Sequence, residues 1–298
     1  MKIRMNNKKI NGQYFTTVSP FLGKAFEEWF AMIPKEKPFL EPFAGSGNLF
    51  QFIEARWEGY DIEPKHKLVK KRNTITSFPI GFDVCITNPP YLAKNSASRL
   101  KLDVSIEKED LYLDCLDLML ENCDWIAVII PSTFFLKAKH YKRLMFWDKL
   151  DKKLFSDTDT PAGVAYFGPK DYKVRYFVNG EEIEKFDFIN KANIQYNCEK
   201  GNYVLSAIDK IGKKNIHISK DTSSFNREKY LKNTSRNYVL FYSDKELDVE
   251  KINLFIEKWR KKTKDFYLTS FKSLMKDGVY RKRISFDQVS KIIKFCEE

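Results

Sequence analysis

Residues 21–33 place apolar side chains at helical spacing, which predicts an amphipathic helix closed by Pro34 and Pro38. A short apolar strand comes next and runs into a Gly-rich turn at residues 41–47, with a helix expected to start near Gly47. Residues 56–64 form a second strand-like piece, and Asp61 sits where that strand should stop. Residues 82–87 read as a buried strand that breaks at Pro89 and Pro90. The pattern then gives a helix over 109–123 and a buried strand from Trp125, the start of the longest apolar run, which ends at Pro131. Residues 137–150 look helical, 152–155 read as a short strand and 163–168 as another. Alternating strands and helices, with strands apolar throughout, predict an α/β fold whose mostly parallel sheet is covered by helices on both faces.

From residue 171 the texture changes. Residues 173–186 alternate around Asn179-Gly180, the strongest short signal for a β-hairpin. Beyond it lie mixed short strands, loops and helices rich in Lys, Asn, Ser and aromatics. A boundary near Pro169 divides the 298 residues into a domain over 1–169 and a C-terminal α+β domain over 170–298, which suits a length of about 150 residues per domain. No apolar run approaches the ~18 residues of a membrane span, and the charged N-terminus has no apolar segment behind it. A cytoplasmic protein without a membrane partner is expected.

Five scattered cysteines without a Cys-x-x-Cys pair make a disulfide framework or zinc site a poor expectation. His66, His140 and His217 stand apart, so histidine-based metal or triad chemistry is not expected either, and no metal is assigned. Charge changes the picture more. The 52 basic and 40 acidic residues leave a net +12, of which +8 lies in residues 171–298. A polyanion is the natural partner of such a tail, because phosphate neutralisation releases counterions; a generally Lys-rich composition is the plain alternative.

In the segment Glu41-Pro42-Phe43-Ala44-Gly45-Ser46-Gly47, glycines stand where the first strand hands over to the expected helix. They allow a sharp turn and close approach of a ligand to the backbone. No Gly-Lys-Ser/Thr comes after them, so this is not a P-loop. Asp61 ends the second strand 14 residues after Gly47, where a carboxylate can accept hydrogen bonds from ribose hydroxyls. Together they suggest a ligand containing adenosine, with a solvated strand-end acid as the alternative.

Asn88-Pro89-Pro90-Tyr91 is the sharpest signal. Two prolines fix their φ angles and carry no N–H, so their carbonyls are held stiffly at a strand tip. Asn88 adds a side-chain carbonyl and an amide donor. An exocyclic amine on a nucleobase is a poor nucleophile, because its lone pair is delocalised into the ring. The Asn88 side-chain oxygen and the Pro89 carbonyl can accept both amine hydrogens and so aim that lone pair at an electrophile. The ring of Tyr91 can stack on the base, a contact of ~1–3 kcal/mol.

With these motifs the sequence resembles the S-adenosylmethionine-dependent amino-methyltransferases, and more closely the adenine-N6 DNA methyltransferases. The resemblance covers about residues 12–168 and implies a Rossmann-like, seven-stranded methyltransferase sheet. Residues 40–49 resemble the family's cofactor motif I, 59–64 motif II, 88–91 the catalytic motif IV, 110–116 motif V and 126–135 motif VI. Gly12 to Thr17 resemble motif X, which in that family helps hold the methionine end of the cofactor. The implied cofactor contacts are Tyr14, Phe15, Thr16, Thr17, Glu41, Pro42, Phe43, Ala44, Gly45, Gly47, Asp61, Ile62 and Asn88. The implied catalytic residues are Asn88, Pro89, Pro90 and Tyr91.

Only 40 residues separate Gly47 from Asn88, and the tail comes after the core, an order similar to the gamma group, whose target-recognition domain is C-terminal. Where the family's motif III carries an Asp, this sequence has Asn73 and Thr74. Phe155 is the candidate for the aromatic that sandwiches a flipped base with Tyr91, core packing being the alternative. In the tail, Lys258, Arg260, Arg281 and Arg283 are candidate contacts to duplex DNA, with a solvated helix face as their plain reading. A companion restriction endonuclease would fit a modification enzyme. Methylation of an rRNA base or of a protein glutamine uses the same four-residue turn and is the alternative activity. A nucleic-acid-binding protein with an inactive core is the alternative from another class.

Overall fold

The computed structural model describes residues 16, 18–100, 105–156, 158–186, 188–220 and 237–298. Two compact units divide the chain, Met1–Glu182 and Ile183–Glu298.

The first unit begins with helix α1 (Gly23–Met32), which buries Ala25 and Trp29. The Trp29 indole N–H donates to the Phe167 carbonyl at 2.9 Å, so the helix is tied to the sheet by a polar bond as well as by packing. Strands β1 (Phe39–Glu41), β2 (Trp57–Asp61), β3 (Val69–Lys71), β4 (Val84–Thr87) and β5 (Trp125–Pro131) come next, with helices α2 (Lys94–Arg99) and α3 (Leu111–Asn122) between β4 and β5. Then come β6 (Leu144–Lys149), β7 (Ala162–Phe167), β8 (Arg175–Val178) and β9 (Glu181–Glu182). They form one sheet in the order β3-β2-β1-β4-β5-β7-β6-β8-β9. β1 to β5 run parallel, and β7 enters antiparallel between β5 and β6.

This is the expected Rossmann-like sheet, widened from seven strands to nine by β8 and β9. Every residue of β4 is buried, and Ile126 to Ile130 of β5 are fully inaccessible, as continuous apolar strands covered on both faces require.

Three local expectations are corrected. Residues 144–149 form β6 rather than helix: Leu144, Met145, Phe146 and Trp147 are four consecutive apolar residues, all buried. A helix would turn some of them to solvent, whereas a strand between β7 and β8 buries all four. After Gly47 there is a single 3-10 turn (Asn48–Gln51), not an α-helix, because β2 begins only ten residues after that glycine. Residues 152–155 make no strand, and Phe155 instead forms an isolated bridge with Thr16.

The hairpin over 175–182 is present, with Asn179 (φ 51°) and Gly180 (φ 79°) in the left-handed conformations that a two-residue turn needs. It lies in the first unit, since β8 pairs parallel with β6. The units therefore part at Glu182/Ile183, after the hairpin, and not at residue 169.

The second unit contains a four-stranded sheet, β10 (Gln195–Tyr196), β11 (Tyr203–Ser206), β12 (His217–Ser219) and β13 (Tyr238–Tyr242), in the order β10-β13-β11-β12. Helix α4 (Val249–Lys262), a two-stranded ribbon of β14 (Thr269–Leu274) and β15 (Tyr280–Arg283), and helix α5 (Phe286–Glu297) complete it. Its core joins Leu205, Ile218 and Phe241 of the sheet to Ile256 and Trp259 of α4 and Ile292 of α5. Among the described residues no helix is long and apolar enough to cross a membrane, and no cluster of three His, Cys, Asp or Glu could hold a metal.

Candidate active site

β2, β1 and β4 are adjacent and parallel, so the chain segments that leave their C-terminal ends emerge at one edge of the sheet. Those segments are the ones singled out in the sequence: the turn after Glu41, the acid at Asp61 and the corner at Asn88. Ligands of open α/β sheets bind at this edge.

The turn is built by its glycines. Gly45 and Gly47 have φ of 51° and 69°, and a Cβ on Gly47 would lie 3.0 Å from the Phe50 ring. Asp61 is buried, and each carboxylate oxygen accepts one backbone amide at 2.8 Å, Oδ2 from Gly45 and Oδ1 from Glu63. A carboxylate has about four acceptor positions, so this anchor of the glycine turn keeps capacity for further donors.

Glu41 is also buried, and burial, with the charge of Asp61 added, pushes its carboxyl well above the usual range. Among the described residues the buried Glu41 Oε2 and Thr16 Oγ1 have no hydrogen-bond partner. Thr16 reaches this edge because its carbonyl accepts from the Asn48 side chain at 3.0 Å. Polar atoms left over at the end of β1, and a turn that tolerates close approach, fit an adenosine ligand with a charged tail.

Pro42 is held from behind: the buried Thr74 hydroxyl donates to its carbonyl at 2.8 Å. Asn73 accepts the Ile75 amide in a local turn. The residues at the motif III position thus brace the glycine turn and their own loop. Ile62 is 51% exposed at the end of β2, an apolar side chain open to a ligand at this edge. Phe43 is half-buried and Ala44 buried. Tyr14, Phe15 and Thr17 lie outside the described residues.

Asn88 and Pro90 are half-buried, while Pro89 and Tyr91 are buried. The Asn88 Oδ1 itself lies below the surface; rotation of the amide about its terminal torsion exchanges oxygen and nitrogen. The corner is locked by Tyr91, whose hydroxyl donates to the Ile129 carbonyl of β5 at 2.8 Å, and by the Leu92 amide, which donates to Asp110.

Phe155 does not face Tyr91 across a slot. The rings meet edge to face at 6.1 Å between centroids, and Phe155 is 1% exposed. Two rings in that contact leave no gap for a base, so the expected sandwich is absent and Phe155 is core packing. Tyr112, on α3, meets Tyr91 in the same way and completes this aromatic cluster. Tyr112 was not singled out in the sequence, because its helix face reads only as core.

Residues 25–160 match the Eco57I restriction-modification methylase family. The match covers 136 of the 298 residues. Methylases of that kind use S-adenosylmethionine as methyl donor, and the turn, Asp61, Glu41 and Thr16 fit such a group. No curated protein matches the chain.

Several solved structures are similar to parts of this chain. One is the type I restriction-modification methyltransferase subunit of Streptococcus thermophilus, with 15% identity over 58% of this chain and 49% of that one, at a TM-score of 0.40. A second is a DrdV–DNA complex, with 13% identity over 68% of this chain and 36% of that one, at a TM-score of 0.40. A third is the 23S rRNA methyltransferase ErmE, with 17% identity over 50% of this chain and 69% of that one, at a TM-score of 0.33. The chain therefore spans about half or less of the first two.

In the second unit the four sequence candidates separate. Lys258 is exposed on α4, and Arg281 and Arg283 are half-buried on β15. Arg260 is not a surface cation. It is 4% exposed, its Nη1 and Nη2 donate to Asp209 at 2.9 and 2.7 Å, and its Nε donates to Asp265 at 2.7 Å. Burial opposes ionisation of Asp265, but the guanidinium outweighs it and holds that carboxyl below its ordinary range. The helical periodicity of 258–264 places Arg260 one residue after the core residue Trp259, on the inward face; Asp265 lies five residues on, but Asp209 is 51 residues away and carries no signal of the pairing in the sequence.

Proposed function

We propose that the chain is a site-specific DNA methyltransferase that transfers a methyl group from S-adenosylmethionine to the N6 amine of an adenine turned out of a duplex. What supports this reading is the convergence of the glycine turn, Asp61 and the Asn88–Tyr91 corner on one edge of the sheet, in a segment that matches a restriction-modification methylase family.

In this reading Asp61 accepts the ribose hydroxyls of the cofactor, Ile62 covers its base, and Gly45 and Gly47 let its tail pass close to the backbone. Thr16 and Glu41 supply polar atoms at the methionine end. When bound, the sulfonium offers a methyl group that is already activated. The adenine leaves the stack at a cost of a few kcal/mol. Asn88 and the Pro89 carbonyl would accept the two amine hydrogens and so turn the nitrogen lone pair toward the donor; the N–C bond would form as the S–C bond breaks, and one of the two amine hydrogens would leave as a proton. Pro90 stiffens the corner, and Tyr91, packed against Phe155 and Tyr112, anchors it to β5. Catalysis is mainly positioning of two reactants. Duplex DNA is the partner, and a companion endonuclease cutting the same site suits the family.

Radiolabelled methyl transfer to duplex DNA, rRNA and protein tests the reading. Asn88→Ala should abolish transfer, with cofactor affinity within a few-fold of the parent. Asp61→Ala should instead weaken cofactor binding about tenfold or more, the scale of one charge-assisted hydrogen bond. Comparable turnover by Asn88→Ala would remove the mechanism, and labelling of RNA or protein in place of DNA would replace the substrate.

A further inference from the structure

Basic residues are unevenly placed in the second unit. Residues 183–298 hold 25 basic and 16 acidic side chains, net +9; residues 209–216 and 269–284 alone hold eight basic and two acidic ones, net +6. These two segments are adjacent in space. The Asp209 amide donates to the Lys282 carbonyl at 3.0 Å, and Arg281 Nε donates to the Asp209 carbonyl at 2.8 Å. A Cβ on Gly212 would lie 3.5 Å from Lys276 Cε, which brings the turn at 210–214 against the tip of the ribbon. Of the two acids, Asp209 is buried and clamped by Arg260, so Asp277 is the exposed one.

The ribbon has an inner and an outer face. Tyr280 and Lys282 are buried, and the Lys282 ammonium donates to Ser270. Arg281 and Arg283 alternate with them and point the other way. Across the ladder Thr269 stands opposite Arg283, and Arg281 Nη1 donates to the Ser273 hydroxyl at 3.3 Å. The outer face therefore carries Thr269, Ser273, Arg281 and Arg283, all hydrogen-bonding side chains. Lys210, Lys213 and Lys276 are exposed at its margin, and Ile211, 65% exposed, tips the turn. β14 and β15 pair as a sheet of two strands, with a register shift between Ser270 and Leu274, and the other edge of β15 is backbone-bonded to residues 207–209 through a bridge between Ile208 and Arg283.

We propose that this outer face is the base-reading surface for duplex DNA: the ribbon enters the major groove, Arg281 and Arg283 read base edges, and Lys210, Lys213 and Lys276 meet phosphates. The inference rests on the DNA-methylation reading above. The major groove admits a two-stranded ribbon, and arginine forks match the O6 and N7 acceptors of guanine. Lysines at the margin supply the affinity that carries no sequence information. The methylated site accordingly contains guanine.

Two arms test this on the full chain. In the first, cofactor-free binding to a labelled random-sequence duplex is followed between 50 and 200 mM salt. The combined variant Lys210→Ala, Lys213→Ala, Lys276→Ala should bind about tenfold or more weakly, with a salt slope shallower by roughly 0.9 for each phosphate no longer neutralised. In the second, modified adenines are mapped in the DNA of cells expressing Arg283→Ala or Arg283→Lys. The Lys form keeps the charge and loses the fork, so both should relax or lose a guanine position in the site. Unchanged affinity and slope, an unchanged set of sites, or tighter binding of RNA through the same lysines overturns the inference. A wild-type chain that methylates no DNA sinks the catalytic reading instead, while the binding arm still judges the ribbon.

Discussion

At the scale of single residues, burial decides which charged groups are chemistry and which are architecture. Asp148 lies in β6 with no exposure, and burial, helped by the charge of Asp151, pushes its carboxyl up to about 7. The folded chain therefore keeps this proton to about pH 7, whereas an unfolded aspartate releases it near pH 4. Between those values the folded state binds more protons, so stability falls as pH rises and the loss is complete above pH 7. Asp148→Asn should abolish this slope and leave the protein more stable than the parent at pH 7.5, by a few kcal/mol. Urea unfolding of both proteins from pH 4.5 to 7.5 measures it; a constant difference between them across that range would refute the assignment.

At the scale of elements, the hairpin of β8 and β9 shows how one turn sets the width of the sheet. A Cβ on Gly180 would sit 2.2 Å from the Leu22 carbonyl oxygen, against the backbone that enters α1. The Asn179 side chain accepts the Asp151 amide at 3.0 Å, tying the same turn to the end of β6. Gly180→Ala combines a left-handed backbone with a backbone clash and should lower stability by about 2 kcal/mol or more. Asn179→Ala should cost about 1 kcal/mol through loss of the acceptor. Thermal unfolding ranks the two; equal effects would mean that the contact with α1 is not restrictive.

The hairpin itself was legible, because Asn-Gly between alternating residues fixes the local chain. Its attachment to the first unit was not, because parallel pairing with β6 joins residues about 30 apart whose sequence carries no partner signal. The β6 strand was missed for a related reason. Lysines and aromatics at helical spacing in 137–150 mimic an amphipathic helix, and only coverage by β7 and β8 makes an extended chain the better way to bury Phe146 and Trp147.

At the scale of the whole molecule, two units with separate cores should unfold as two transitions. Arg260→Ala leaves two buried carboxylates without their cation, which typically costs 3–5 kcal/mol. The transition of residues 183–298 should fall by about that amount, and that of residues 1–182 should stay in place. Calorimetry of the full chain, with cofactor binding as a readout of the first unit, separates this from a role in DNA contact. If Arg260 were a phosphate contact, the variant would lose DNA affinity at unchanged stability.

The sequence alone determined the layout of the candidate site. Strand ends at Glu41, Asp61 and Thr87, two glycines and a proline corner are local features, set by backbone sterics over a few residues, and parallel α/β connectivity carries such strand ends to one edge. The excess of positive charge in the tail was equally plain. Tertiary structure alone decided which side chains remain available. It turned Arg260 inward to two aspartates, closed Tyr91 against Phe155, moved the hairpin into the first sheet and gathered lysines from two distant segments around one ribbon. Burial and ion pairing are properties of residues brought together across long stretches of chain, and periodicity reports only which face a residue occupies, not what it meets there.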